Sequence, residues 1–172
     1  AGTLERAPVR DVLISTEEGG LEGLPEGASV GTSSVRRAKQ LLWLRPDLKI
    51  VDLRGNVPTR LRKVAEAECH AIMLAEAGLV RLGYAMDAPA EVSGSMLHFS
   101  PLHETEFYPA AGQGAIGFEI RVDDERARSM VEAILHADTF LCASAEREFL
   151  RLLDGGCHTP VGVFSVLEGE LL

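Results

Sequence analysis

The stretch with the clearest chemistry is Gly31-Thr-Ser-Ser-Val-Arg-Arg37. It follows a short apolar run, Ala28 to Val30, and opens a helical pattern from Val35 to Leu44. A strand that turns sharply into a helix leaves free backbone N–H groups at the helix start. The helix dipole adds partial positive charge there, so the turn suits an anion. Thr32, Ser33 and Ser34 are N-cap types that also donate hydroxyl hydrogen bonds. Arg36 and Arg37 add planar forks that match a carboxylate or phosphate. The stretch therefore predicts an acidic ligand.

A second candidate is the loop Asp154-Gly155-Gly156-Cys157-His158-Thr159-Pro160. Two glycines before a cysteine give a loop freedom to present sulfur to a cavity. Cys69 and Cys142 lie in apolar contexts and read as small buried hydrophobes. His70, His98, His103, His136 and His158 read as bystanders, and no Cys/His spacing suggests a metal site.

These residues must be positioned by a scaffold. Val12 to Ser15 reads as a strand, and Glu17 to Gly27 as a Gly- and Glu-rich loop. After the 35–44 helix, Leu48 to Leu53 alternates as a strand closing at Arg54-Gly55-Asn56. A helix over 58–67 follows, with Asn56 or Val57 near its cap and Pro58 in its first turn. Ala71 to Ala75 is a buried-type strand, and Glu76 to Leu82 a short helix. Strands and helices alternating at this spacing predict βαβ units and a mostly parallel sheet with helices on both faces. The strand-to-helix turns of such a sheet share one edge. Arg36, Arg37, Arg54, Arg60 and Arg81 are therefore expected to converge on one crevice, suited to a ligand with many carboxylates. Beyond Tyr84 we expect a long connection with a short strand near 96–99, a strand over 116–120, and a helix over 123–135. A further helix over 140–153 should bury Leu141, Ala145, Phe149 and Leu152, and residues 161–166 should form a strand.

With 46% hydrophobic residues among 172, the chain can bury a real core. Its longest apolar runs are too short to cross a bilayer. The net charge of −9 argues against nucleic acid. Yet residues 31–63 hold nine Lys/Arg against Asp47 and Asp52, a local +7, while the other 139 residues carry −16. A basic block inside an acidic chain suits an anion site with a local field. An ordinary solvated helix face explains Lys39 and Arg45 but not Arg36, Arg37, Arg54 and Arg60, which stand at element ends. Three scattered cysteines form no disulfide framework, so a reducing, cytoplasmic setting is expected, with a plastid or other organelle left open.

Seven motifs in order, Gly31-Thr-Ser-Ser-Val-Arg-Arg37, Leu53-Arg-Gly-Asn-Val57, Thr59-Arg60-Leu61, Ala77-Gly-Leu79, Arg81-Leu-Gly83, Gly112-Gln-Gly-Ala115 and Leu153-Asp-Gly-Gly-Cys157, resemble the hydroxymethylbilane synthase (porphobilinogen deaminase) family. The resemblance implies a transferase of tetrapyrrole and heme biosynthesis. Four porphobilinogen units would be joined head to tail, with loss of ammonia, onto a dipyrromethane held by thioether to Cys157. Arg36, Arg37, Arg54, Gly55 and Arg60, with Thr32, Ser33 and Ser34, would hold that cofactor, and Arg81 and Gln113 the substrate. Partners would be porphobilinogen and the growing polypyrrole, with no nucleic acid or membrane, in a monomer.

The resemblance also implies a periplasmic-binding-protein-like lobe over 16–108 and the end of a first domain over 1–15. A return strand and helix would occupy 109–136, and the start of a small α+β C-terminal domain 137–172. Nothing here matches the family's His-Ser-Xaa-Lys-Asp type catalytic segment, so the catalytic residue is not assigned. A fragment lacking most of the first and third domains, and inactive by itself, is the expectation. The competing readings are a periplasmic-binding-like module that binds a polycarboxylate without chemistry, and a remnant without ligand. Only the synthase reading requires a covalent adduct on a cysteine.

Overall fold

A computed structural model describes residues 2–156 and 158–169. In chain order it runs β1 (Gly2–Thr3), β2 (Asp11–Ser15), α1 (Gly20–Gly23), β3 (Ser29–Gly31), α2 (Val35–Leu44), β4 (Lys49–Val51), α3 (Val57–Ala65), β5 (Ala71–Ala75), α4 (Glu76–Arg81), β6 (Ala90–Val92), β7 (Ser95–Pro101), β8 (Gly117–Phe118), α5 (Glu125–Glu132) and α6 (Ala137–Leu152). The central sheet has six strands in the order β4-β3-β5-β2-β7-β6. β4, β3 and β5 are parallel, as the βαβ spacing predicts. β2, β7 and β6 join antiparallel, so the sheet is mixed.

Side chains alternating along each strand feed two cores. Val12, Ile14, Ile72, Leu74, Leu97 and Phe99 meet Leu61 and Val64 of α3 and Leu79 of α4. Leu13, Val30, Ala71 and Met73 meet Leu41 of α2 on the other face. Helices thus cover both faces.

Local chemistry sets the boundaries. Ser34 caps α2, accepting from the Arg37 amide, and Asn56 caps α3, accepting from Thr59 N at 3.0 Å, with Pro58 in that first turn. Both are N-cap types in extended backbone.

The connection after Tyr84 differs from expectation. It holds the hairpin β6–β7, turning through Ser93 and Gly94, both at positive φ, which matches the twist of a tight hairpin. β7 then extends the sheet beside β2. The expected 116–120 strand shrinks to β8, which among the described residues pairs with β1 alone. Among the described residues no strand forms over 161–166; this segment bonds instead to Pro109 O through Val163 N and to Glu146 through Ser165.

The last helix also presents a different face. α6 buries Thr139, Cys142, Ala143 and Glu146, whereas Leu141, Phe149 and Leu152 are exposed. The cause is the Glu146 carboxylate, whose partners all lie on that inner side. Among the described residues, no helix is long and apolar enough to cross a membrane.

Candidate anion site

The C-terminal ends of β3, β4 and β5 share one sheet edge, and the antiparallel β2 brings its first residue, Asp11, to the same edge opposite Ala75. Asp11 is fully buried. Arg36 NH1 meets its Oδ2 at 2.7 Å, and Arg37 meets Oδ1 through Nε at 2.9 Å and NH2 at 2.7 Å. Arg36 also donates to the Tyr108 carbonyl and to Gln113 Oε1, and Arg37 to Met73 O. Gln113 Nε2 returns to Asp11 Oδ1 at 3.1 Å and to Val9 O. Burial pulls the Arg36 guanidinium below its ordinary pKa, opposed by the charge and hydrogen bond of Asp11. The sequence reading did not find Asp11; its signal was an acid directly before the apolar run Val12-Leu-Ile14.

This cluster fixes the two guanidinium planes. A guanidinium carries five N–H donors. Three contacts on each of Arg36 and Arg37 leave two N–H groups apiece without a partner among the described residues. Two arginines against one aspartate leave a net charge of +1.

The other expected residues fall in two groups. Arg81 NH2 donates to Gly114 O at 2.8 Å, beside Gln113, so that arginine joins the edge of the cluster. Arg54 is exposed and pairs with Asp52 at 3.0 Å, and Arg60 Nε donates to Gly55 O at 2.7 Å. Among the described residues, neither contacts the Asp11 cluster. Gly55 has φ 119, and a Cβ there would meet Thr59 Cγ2 at 2.9 Å, so the turn requires glycine. Of the three hydroxyls, Thr32 Oγ1 accepts from Ser34 N inside the loop, and Ser33 Oγ donates across to Leu53 O in the turn after β4. Ser34 lines a cavity.

That cavity, about 470 Å³, is walled by Ser34, Arg36, Ala110 and Ala111, by Arg147, Leu150 and Arg151 of α6, and by Gly155, Gly156, Thr159 and Val161. Among the described residues, three arginines and no carboxylate face it, in a chain of net charge −9. Cys157 lies outside the described residues. Its neighbour Gly156 donates to Thr159 Oγ1 at 2.8 Å, closing the turn. A Cβ on Gly155 would meet Leu150 Cδ1 at 2.7 Å, so glycine allows the loop to lie against α6. Cys69 and Cys142 are buried free thiols, and burial raises the Cys69 pKa.

A second ion pair anchors this wall. Arg6 clamps Glu146 at 2.7 and 2.8 Å, and Glu146 also accepts from Gly112 N and from Ser165 N and Oγ. Burial works to raise the Glu146 pKa, but the Arg6 hydrogen bonds, the Gly112 amide, the Arg6 charge and the Ser165 amide outweigh it and hold it low. Neither residue was singled out by sequence. Among the described residues, no group of three or more His, Cys, Asp or Glu could hold a metal.

A sequence model described as "Porphobilinogen deaminase, dipyromethane cofactor binding domain" matches residues 1–129, and one described as "Porphobilinogen deaminase, C-terminal domain" matches residues 140–172. A porphobilinogen deaminase from Nitrobacter winogradskyi is 49% identical over 167 residues, covering 97% of this chain and 50% of the relative. That of Chloroherpeton thalassium is 44% identical over 164 residues, covering 95% and 49%. The chain thus spans about half the length of these curated relatives. Among solved structures, YhfZ from Shigella flexneri aligns over 92% of this chain and 64% of its own, with a TM-score of 0.37 and 17% identity, too low to define a shared fold.

Proposed function

Because the chain belongs to the porphobilinogen deaminase family, we propose that it serves the synthesis of hydroxymethylbilane, in which four porphobilinogen units are joined head to tail with release of ammonia. Each condensation replaces the carbon–nitrogen bond of an aminomethyl group by a carbon–carbon bond to a pyrrole ring carbon. The amine leaves as ammonia, and the ring carbon gives up the proton that balances it. A dipyrromethane, attached by thioether to Cys157, supplies the primer for that chemistry.

The cavity fits such a group. Pyrroles bearing acetate and propionate need several cationic donors and no facing acid; Arg36, Arg147 and Arg151 supply the cations and Ser34 a neutral hydroxyl. Arg36 and Arg37 present their remaining N–H groups in a fixed plane because Asp11 and Gln113 hold the rest. Orienting donors before the ligand arrives removes an ordering cost on binding. Arg81 and Gln113 stand at the edge where an incoming porphobilinogen would dock, and Arg54, Gly55 and Arg60 form an outer turn accessible to its carboxylates. No residue of the chain is assigned as the acid that stabilises the developing charge. The helix-covered sheet, which also takes in β2 at 11–15, supports a periplasmic-binding-like lobe over 16–108, followed by a return segment to 136 and the start of a C-terminal domain. Buried free thiols support a reducing compartment such as the cytoplasm, and we take the protein as a monomer.

The observation that carries this reading is the carboxylate-free arginine cavity beside the Gly155-Gly156 turn. Intact mass and peptide mapping of the protein as its own gene encodes it should find a dipyrromethane on Cys157, and none on Cys69 or Cys142. An active protein without that adduct would overturn the reading in favour of a binding module.

A further inference from the structure

The Tyr108 peptide is gripped both by α2 and by the segment over 161–166. Tyr108 N donates to Gln40 Oε1 at 2.7 Å, and Gln40 Nε2 donates back to Tyr108 O at 3.0 Å. A backbone N–H can only donate and a carbonyl can only accept, so the orientation of the Gln40 amide is fixed. The two exchange both bonds, as residues facing each other across an antiparallel ladder do. Gly162 lies against the same residue: a Cβ there would meet Tyr108 Cβ at 2.5 Å and Tyr108 O at 2.6 Å. Val163 N then donates to Pro109 O at 2.9 Å.

A glutamine that ties a helix to a passing loop is ordinary. What sets this one apart is the other donor to the carbonyl it holds. Arg36, one turn before Gln40 on α2, gives NH1 to Tyr108 O as well as to Asp11 Oδ2, so both N–H groups of NH1 are taken. NH2 gives one to Gln113 Oε1. The N–H groups left without a partner among the described residues therefore belong to Nε and NH2. Those neighbouring nitrogens form the edge with which Arg10 grips both oxygens of Glu76. Arg37 spends the same edge on Asp11 Oδ1, and Arg36 is the one of the pair that lines the cavity beside the Gly155-Gly156 turn.

We infer that Gln40 is a positioning residue for the condensation proposed above, and the inference rests on that reading. By holding the Tyr108 peptide, Gln40 keeps its carbonyl on Arg36 NH1. That turns the Nε and NH2 edge of Arg36 toward the carboxylates of the dipyrromethane. The ring carbon that attacks belongs to the primer, so its angle is set by the groups that grip the primer's side chains. A small error of angle lowers the rate without changing how an incoming porphobilinogen binds. Gln40 itself does not line the cavity, and it acts through Arg36.

The test is made in the protein as its own gene encodes it. Intact mass gives the fraction of molecules loaded with dipyrromethane, and kcat is taken per loaded molecule. In Gln40→Leu that kcat should fall roughly two- to tenfold, the loss expected for one neutral hydrogen bond, while KM for porphobilinogen holds. Gly162→Ala pushes on the same peptide without altering Gln40 and should lower kcat in the same way. Combined, the two should lower it by less than the product of their separate effects, because both act through one carbonyl. Gly162→Ala also carries the test if Gln40→Leu yields no loaded protein. Lys39→Leu, exposed beside Gln40 on α2, should match the parent. A merely structural tie would lower Tm and the loaded fraction but leave each loaded molecule at full rate. A kcat per loaded molecule at the parent value would therefore overturn the inference, whatever KM and Tm do, and leave the proposed function standing. A parent protein with no adduct on Cys157 would remove both together.

Discussion

The six-stranded lobe and the segment that follows it are held together by different forces. Within residues 11–107, apolar side chains from both sheet faces are buried against α2, α3 and α4. Beyond Phe107, the buried hydrophobic residues among those described are Cys142 and Ala143 alone, while Val122, Met130, Ile134, Phe140, Leu141, Phe149 and Leu152 are exposed. The segment is fastened instead by polar contacts. Glu146 gathers Arg6, Gly112 and Ser165, and His136 N donates to Thr3 O at 2.8 Å. Dry packing fixes the lobe's turns, and with them the planes of Arg36 and Arg37. The Gly155-Gly156 turn hangs on the segment tied by charge. The arginine cavity is built from both, so its shape depends on how well the second stays against the first.

The contrast can be broken most severely at Asp11. Replacing it with alanine leaves Arg36 and Arg37 buried with no counter-charge, a change that typically costs about 3–5 kcal/mol. The expected outcome is a lowered denaturation midpoint, with amide protection in β2, β5 and α2 falling together. Asp52→Ala, which removes only an exposed pair with Arg54, should cost almost nothing. Equal losses in the two variants would show that the buried cluster does not hold the lobe's edge.

Glu146→Gln should separate the two regions. It strips Arg6 of its counter-ion, yet Arg6 is itself slightly exposed, at 12% of its side chain, and can reach water. Protection of α6 and of residues 161–167 against hydrogen exchange should fall by roughly ten- to a hundredfold, as for the loss of a charged hydrogen bond. Protection in β2 and β5 should hold. A uniform fall across both would mean that they unfold as one unit.

The same residue sets an acid limit. Its folded pKa is held below the ordinary 4.5, so the stability it contributes is fully present above that value. It is lost as pH falls from there through the folded pKa, while Arg6 remains charged. Between neutral pH and about 4.5 α6 should stay docked, and below 4.5 it should loosen before β5 does. Intrinsic exchange monitored by pH-jump would show the order, and in Glu146→Gln this acid step should be missing.

The legible part of this molecule is what local pattern determines. β3 through α4 follow from alternation, 3.6-residue spacing and the caps Ser34 and Asn56, and their parallel turns correctly marked one sheet edge. The antiparallel half depended on pairings distant in sequence, Asp11–Ser15 with both Ala71–Ala75 and His98–Pro101, which no local pattern encodes. That is why Asp11 escaped notice, and with it the fact that Arg36 and Arg37 already have an internal partner. On α6 the apolar stripe pointed the wrong way because a buried carboxylate, with five donors around it, outweighed Leu141 and Phe149 in choosing the inner face. The arginine turns were read as anion-competent and as converging, yet Arg54 and Arg60 stand apart from the buried pair. Residue type shows what a side chain can bind, and only the sheet order shows which side chains meet.

The smallest effect concerns Arg45, which from its place at the end of α2 reads as an outer, solvated residue. The structure gives it a different task. Its guanidinium meets Asp47 at 2.8 Å twice, donates to Leu21 O at 2.7 Å, and reaches the carbonyls of Leu24 and Pro25. Asp47 in turn accepts from Gly27 N at 3.0 Å. Together they tie the loop before β3 to the end of α2, over the buried Leu24. Arg45→Leu removes that tie without opening the core, so it should lower Tm measurably, though by less than Glu146→Gln, and raise exchange in residues 21–27. The comparison is Arg62→Leu on α3, where an exposed i,i+4 pair with Glu66 at 3.6 Å is all that is lost. Such a pair contributes little or nothing measurable, so Tm should not move. If both variants melt with the parent, the loop is held by Leu24 packing alone, and the hydrogen bonds of Arg45 are replaced by water at no cost.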